Sequence, residues 1–173
     1  ACVNNSSDIL VNSGATYWMS VSGGEQPDIT INGTGFAGQD GAFRVGNNYS
    51  YSGTLTLATN ATVAVDSSRT FTLNSAIAGL GNLTKTGDGS FLINSDSNSY
   101  TADTFINDGT LEVSGLFQNS TITVNTGGTL NAPSYRVGTV NLNGGTWNNT
   151  VLPEWIKGAD FSGNDDGNWS ETA

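Results

Sequence analysis

The chain of 173 residues carries 5 basic and 15 acidic side chains, a net charge of −10, no histidine and a single cysteine, Cys2. That balance repels phosphate, so no nucleic-acid partner is expected, and histidine-based triads and the usual zinc sites lack their residues. No apolar run reaches the roughly 18 residues of a membrane-spanning helix, while Gly, Asn, Ser and Thr make up 85 residues, which disfavours long helices and points to an all-β chain.

Residues 1–8 are polar and read as a flexible N-terminal arm. From Ile9 a phrase recurs: two alternating apolar positions, a turn of Asn, Asp or Gly, a small residue, then two more alternating apolar positions. It reads ILVNSGATYWM from Ile9, ITVNTGGTLNA from Ile122 and VNLNGGTWN from Val140. Looser copies start at Gln39, Leu55, Gly87 and Phe105. The small residue falls at Thr16, Ala42, Thr62, Ser90, Thr110, Thr129 and Thr146, at intervals of 26, 20, 28, 20, 19 and 17 residues.

One position on stand Tyr17, Phe43, Val63, Phe91, Leu111, Leu130 and Trp147; three positions on stand Met19, Val45, Val65, Ile93, Val113, Ala132 and Asn149. Strand side chains alternate faces, so these two sets are expected as inward columns, with Trp18, Arg44 and Glu112 among the outward residues between them. Ile9/Val11, Leu55/Leu57, Ile122/Val124 and Val140/Leu142 form a second inward pair ahead of the turns. About seven coils of roughly 22 residues, two short strands each, predict a parallel β-solenoid over residues 9–150. A β-sandwich would have short strands too, but not one register repeated seven times. Asn12, Asn107, Asn125 and Asn143 recur at the turns, where stacked amides could form a ladder.

Within this pattern, Gly79 to Val113 resembles the autotransporter-associated β-strand repeat, also called the passenger-associated transport repeat. The resemblance rests on Leu83-Thr84-Lys85-Thr86-Gly87, Gly89, Tyr100-Thr101 and Asn107-Asp108-Gly109-Thr110-Leu111, and extends upstream to Gly53. It implies a right-handed parallel β-helix in bacterial secreted or surface proteins, often within a type V passenger, and it brings no catalytic residues.

From Val151 the repeat stops, and 151–173 is expected to be a C-terminal cap or inter-subunit segment, with a short helical turn after Pro153. An open solenoid end must be covered or paired, so Trp147, Trp155 and Ile156 are candidate plug or subunit-contact residues, with Trp18 a further contact candidate. Asp160, Asp165 and Asp166 are weak calcium candidates because their spacing fits neither the EF-hand loop nor a calcium β-roll. No cofactor and no catalytic residue is expected, since no carboxylate pair recurs on the outward positions. Trp18 and Tyr17, with Tyr49, Tyr51 and Tyr100 in loops, are the aromatic residues that could stack on sugars, although Tyr17 reads better as core. The expected function is that of a non-enzymatic extracellular structural protein. It would stack head to tail with its own copies into a surface or secreted filament; the alternatives are a spacer of a larger passenger or adhesin and, less favoured, a β-helix that binds or cleaves surface glycans.

Overall fold

The computed structural model describes residues 8–20, 26–37 and 40–149, together with the backbone strands Phe161–Gly163 and Trp169–Glu171. Short strands rich in Val, Ile, Leu, Phe and Thr are separated by turns of Gly, Asn, Asp and Ser, which favours extended segments among the described residues. The one helical element among the described residues is a 3-10 turn at Ser134–Arg136.

The strands stack in parallel from coil to coil, forming a β-solenoid of about seven turns. Seven segments run along one face: Tyr17–Met19, Phe43–Val45, the second half of Leu55–Val65, Leu83–Thr86, Thr104–Ile106, Ile122–Asn125 and Val140–Asn143. Another face carries six: Tyr49–Tyr51, Thr70–Leu73, Ser90–Ile93, Gly109–Val113, Gly128–Asn131 and Thr146–Asn148. A third face is built in the early coils by Ile9–Val11, Ile29–Gly33, the first half of Leu55–Val65 and Ile77–Gly79. At the matching place in a later coil only a single bridge, Phe117 to Val137, remains. The first two faces are called the long face and the second face below.

The expected single column therefore divides. Val63 lies beside Lys85, whereas Phe91 lies between Phe71 and Leu111 on the other face. The interval from Thr62 to Ser90 is one step between faces, from Thr62 to Thr70, followed by one full coil. Both faces carry the same alternation, so periodicity cannot tell one from the other. On the long face the register partners Tyr17, Phe43, Val63, Lys85, Ile106, Val124 and Leu142 stand 26, 20, 22, 21, 18 and 18 residues apart. The coils shorten along the rod as the third face dwindles.

The inward side chains merge into one core. Phe43, Val45, Val63, Val65, Phe91, Ile93, Leu111, Val113 and Leu130 are fully or almost fully buried, Met19 is buried, and Tyr17 and Trp147 are partly buried against them. Aromatic rings link the coils, with Phe43 and Phe71 meeting across the two faces at 5.2 Å between centroids and Phe71 and Phe91 stacking within the second face at 4.9 Å. Such pairs add about 0.5–1.5 kcal/mol each beyond the area they bury. Tyr49, Tyr51 and Tyr100, read from the sequence as loop aromatics, are buried. The first two lie on a strand of the second face, and Tyr100 stacks on Phe117 while its hydroxyl donates to the Asp103 carbonyl. The pair Val140/Leu142 is less enclosed than its counterparts, with Leu142 56% exposed, because no further coil covers it among the described residues.

Amide ladders run along the turns. Asn125 donates to Asn107 and Asn143 donates to Asn125, each at 2.8 Å. On the second face Asn148 donates to Asn131 at 2.8 Å, and Ser50, Asn74, Asn94 and Ser114 form a further chain. The expected stacking thus holds for Asn107, Asn125 and Asn143. Residues 1–7, containing Cys2, lie outside the described residues, as do Trp155, Ile156, Asp160, Asp165, Asp166 and the expected helical turn. In that C-terminal region the described backbone is an antiparallel pair, Phe161–Gly163 with Trp169–Glu171.

Candidate functional site

The outward side of the long face concentrates the unusual chemistry. Alternation along Tyr17–Met19 sends Trp18 out between two inward residues, and the parallel register then sets Arg44, Ala64 and Thr86 beside it in successive coils. Trp18 is 56% exposed. The Arg44 guanidinium carbon lies 5.4 Å from the centre of the indole, within cation–π range. Arg44 is itself fixed by Asp66, with Nε donating to Oδ1 at 2.9 Å and a second nitrogen donating to Oδ2 at 3.3 Å. This two-point pairing holds the guanidinium plane, and through it the indole, in one orientation.

Arg44 also lines a cleft of about 580 Å³ together with Asp40, Asp66, Ser67, Thr86, Gly87, Asp88 and Asp108. The Thr86 hydroxyl donates to the Asp40 carbonyl at 2.8 Å and ties the loop at Asp40 to a strand two coils away. Beside Trp18, a second hollow of about 510 Å³ is lined by Gly14, Ala15, Thr16 and Phe36. The Phe36 amide donates to the Thr16 hydroxyl at 2.9 Å, and that hydroxyl donates to the Gly41 carbonyl at 2.8 Å.

Beneath the cleft lies Lys85, wholly buried although it is a lysine. Period-two alternation from Leu83 places it on an inward position between Val63 and Ile106. Its Nζ donates to the carbonyls of Thr86, Gly87 and Asp108 at 2.8, 2.6 and 3.1 Å, joining the turns of two coils. Gly87 has φ +73 and a virtual Cβ there would lie 2.4 Å from the Val65 carbonyl oxygen, so a side chain is excluded by both conformation and space. Burial lowers the Lys85 ammonium to a pKa of about 8, while the Asp108 and Asp88 carboxylates act against that fall.

Trp18, a contact candidate from the sequence, is brought together on this face with Arg44, which the alternation sets outward. Trp147 lies on the second face at the far end of the described solenoid, where its indole N–H donates to the Ala132 carbonyl at 3.0 Å. Glu112 is exposed on the second face, away from the cleft. Among the described residues no group of three or more metal-ligating side chains assembles. Sequence reasoning missed Lys85 as a buried cation and Asp40 as a partner of Thr86. The first was signalled by the inward position two after Leu83; the second depends on a contact 46 residues apart and left no local trace.

The repeat that carries Lys85, Gly87 and Asp108 also has a counterpart among known proteins. No curated protein and no solved structure matches the chain. Residues 83–113 match the family model of the passenger-associated transport repeat, and with the β-solenoid around them they are consistent with an autotransporter-associated repeat protein.

Proposed function

We propose that this chain is a non-enzymatic structural subunit of the bacterial exterior whose solenoids stack head to tail into a filament. The observation that carries this reading is the pair of open parallel edges at the two described ends. Among the described residues, Ile9–Val11 and Tyr17–Met19 pair on one side only, and so do Val140–Asn143 and Thr146–Asn148. A parallel coil edge accepts another such edge by the hydrogen bonding already used inside the rod, and joining unlike ends propagates without closing. The amide ladders point the same way. Asn143 and Asn148 donate backward to the preceding coil, and each has an oxygen with which to receive the next amide. The matched repeat belongs to a structural passenger-repeat family, which supports the non-enzymatic part. The matched repeat supports an extracellular or surface place, and no helix among the described residues is long and apolar enough to cross a membrane.

The test is negative-stain electron microscopy beside light scattering of the purified chain. The expected result is uniform filaments with an axial repeat at or above the roughly 34 Å that seven coils at about 4.8 Å would span. Leu10 is exposed, and its backbone groups face away from Ile29–Gly33 because Ile9 donates to the Asp28 carbonyl at 2.9 Å. Leu10→Pro should therefore abolish assembly with the strand signal in circular dichroism retained. Monomeric rods across concentration and salt would overturn the filament. They would favour the second reading, a rigid spacer within a longer passenger, which the match at residues 83–113 also suits.

A further inference from the structure

The outward side of the long face has features that end-to-end stacking does not use. We propose that Trp18, Arg44 and the adjoining carboxylates form a binding track for a polysaccharide without anionic groups, running along the rod axis over successive coils. A large indole 56% exposed on a β-surface loses hydrophobic stabilisation unless something covers it. Here it is also held rigid, because Arg44 stacks on it and Asp66 fixes Arg44. A preorganised aromatic plate loses little entropy on binding, and it matches the apolar C–H face of a sugar ring. Phe36, 60% exposed, stands across the neighbouring hollow on a loop tied down by Thr16.

The polar half of the recognition lies on the other side of Arg44. Asp40, Asp66, Asp88 and Asp108 line the cleft into which the guanidinium points, so planar acceptors and donors stand next to the plate, as sugar hydroxyls require. Arg44 lines the cleft and lies over Trp18, which lines the other hollow, so the two hollows are neighbouring parts of one track. Charge decides the class of sugar. Four aspartates and a single arginine line the cleft, the buried Lys85 ammonium is turned toward backbone carbonyls, and the whole chain carries −10. Uronic acids and sulfated sugars are repelled, whereas neutral or amino-substituted units are accepted.

The experiment is isothermal titration calorimetry of the full chain with cellohexaose, chitosan hexamer and oligogalacturonate. Binding of the first or second, with oligogalacturonate silent, is expected. Trp18→Ala should weaken binding by about tenfold or more, as removal of a central aromatic anchor does, while Glu112→Ala leaves it unchanged. Because Trp18 is largely exposed, the urea midpoint of the variant should stay at the wild-type value and separate lost binding from lost folding. Electron microscopy of the same variant should find filaments intact if the parent forms them. Three results would overturn the proposal: no heat with any neutral or amino sugar at millimolar concentration, equal binding by Trp18→Ala, or equal binding of oligogalacturonate. Loss of filaments with glycan binding retained in Trp18→Ala would make this residue a subunit contact instead.

Discussion

Replacing Lys85 by Met removes the charge and keeps most of the length of a side chain enclosed between Val63 and Ile106. The folded-state pKa is about 8 against 10.5 for an ordinary lysine. Between those values the unfolded chain binds more protons than the folded one, so stability climbs with pH across the interval. The limiting slope is about 1.36 kcal/mol per pH step, and integration from pH 7 to 9.5 gives a gain of about 2 kcal/mol. At a urea dependence of about 2 kcal/mol per molar, that moves the unfolding midpoint by about 1 M. Tyr51, Tyr17 and Tyr100 set the upper limit of the experiment. Burial raises all three above the usual tyrosine value, helped by neighbouring Tyr and Asp charges at Tyr51 and by Tyr49 at Tyr17, and opposed by hydrogen bonds from Thr104 and Leu83 at Tyr100. Their contribution is therefore lost only as pH rises beyond about 10. Urea unfolding followed by circular dichroism at pH 7, 8, 9 and 9.5 should show the wild-type midpoint rising and that of Lys85→Met staying level. Parallel curves for the two proteins would refute a desolvated ammonium beneath the cleft. The difference at pH 7 alone is less informative, because Met removes both the desolvation cost and three charge-assisted hydrogen bonds.

Phe91→Ala should destabilise the chain by about 3–5 kcal/mol, since the ring is fully buried and stacked on Phe71, whereas exposed Glu112→Ala should stay within about 0.5 kcal/mol; urea midpoints check both. Gly115→Ala would set a methyl 2.0 Å from the Ser95 carbonyl oxygen and should cost more than about 2 kcal/mol by forcing two coils apart. Gly14→Ala meets nothing within 4 Å and costs about 1–2 kcal/mol through its φ of +81 alone, so equal losses in thermal melts would contradict the tight coil stacking. Asn125→Ala removes both rungs of its ladder and should lower stability by about 1–2 kcal/mol, with faster amide exchange at the Asn107 and Asn143 turns than in the wild type.

Much of the candidate face was legible before any coordinates. Trp18 had to point outward because Tyr17 and Met19 point in, and Arg44 follows at the same place in the next copy of the phrase. Lys85 was equally readable as inward by its distance from Leu83, but a lysine is not expected in a core until its partners are known. Those partners are backbone carbonyls of two different turns, so no residue type announces them. The cleft as a whole was not legible. Asp40, Asp66, Asp88 and Asp108 are spread over three intervals of roughly one coil each, and only the stacking gathers them.

What the sequence by itself determined is the fold class, the coil count and most of the inward columns, though not Lys85, Tyr49 or Tyr51, because alternation and repetition are local properties that a strand cannot evade. The tertiary structure decided which face each strand joins. The phrase around Val63 and the phrase around Phe91 carry the same binary pattern, yet one stacks on Lys85 and the other on Phe71. That choice turns on how many residues each corner consumes and on ring-to-ring packing across the core. These are nonlocal quantities, and they place Trp18, Arg44 and the carboxylates of four separate coils beside one another.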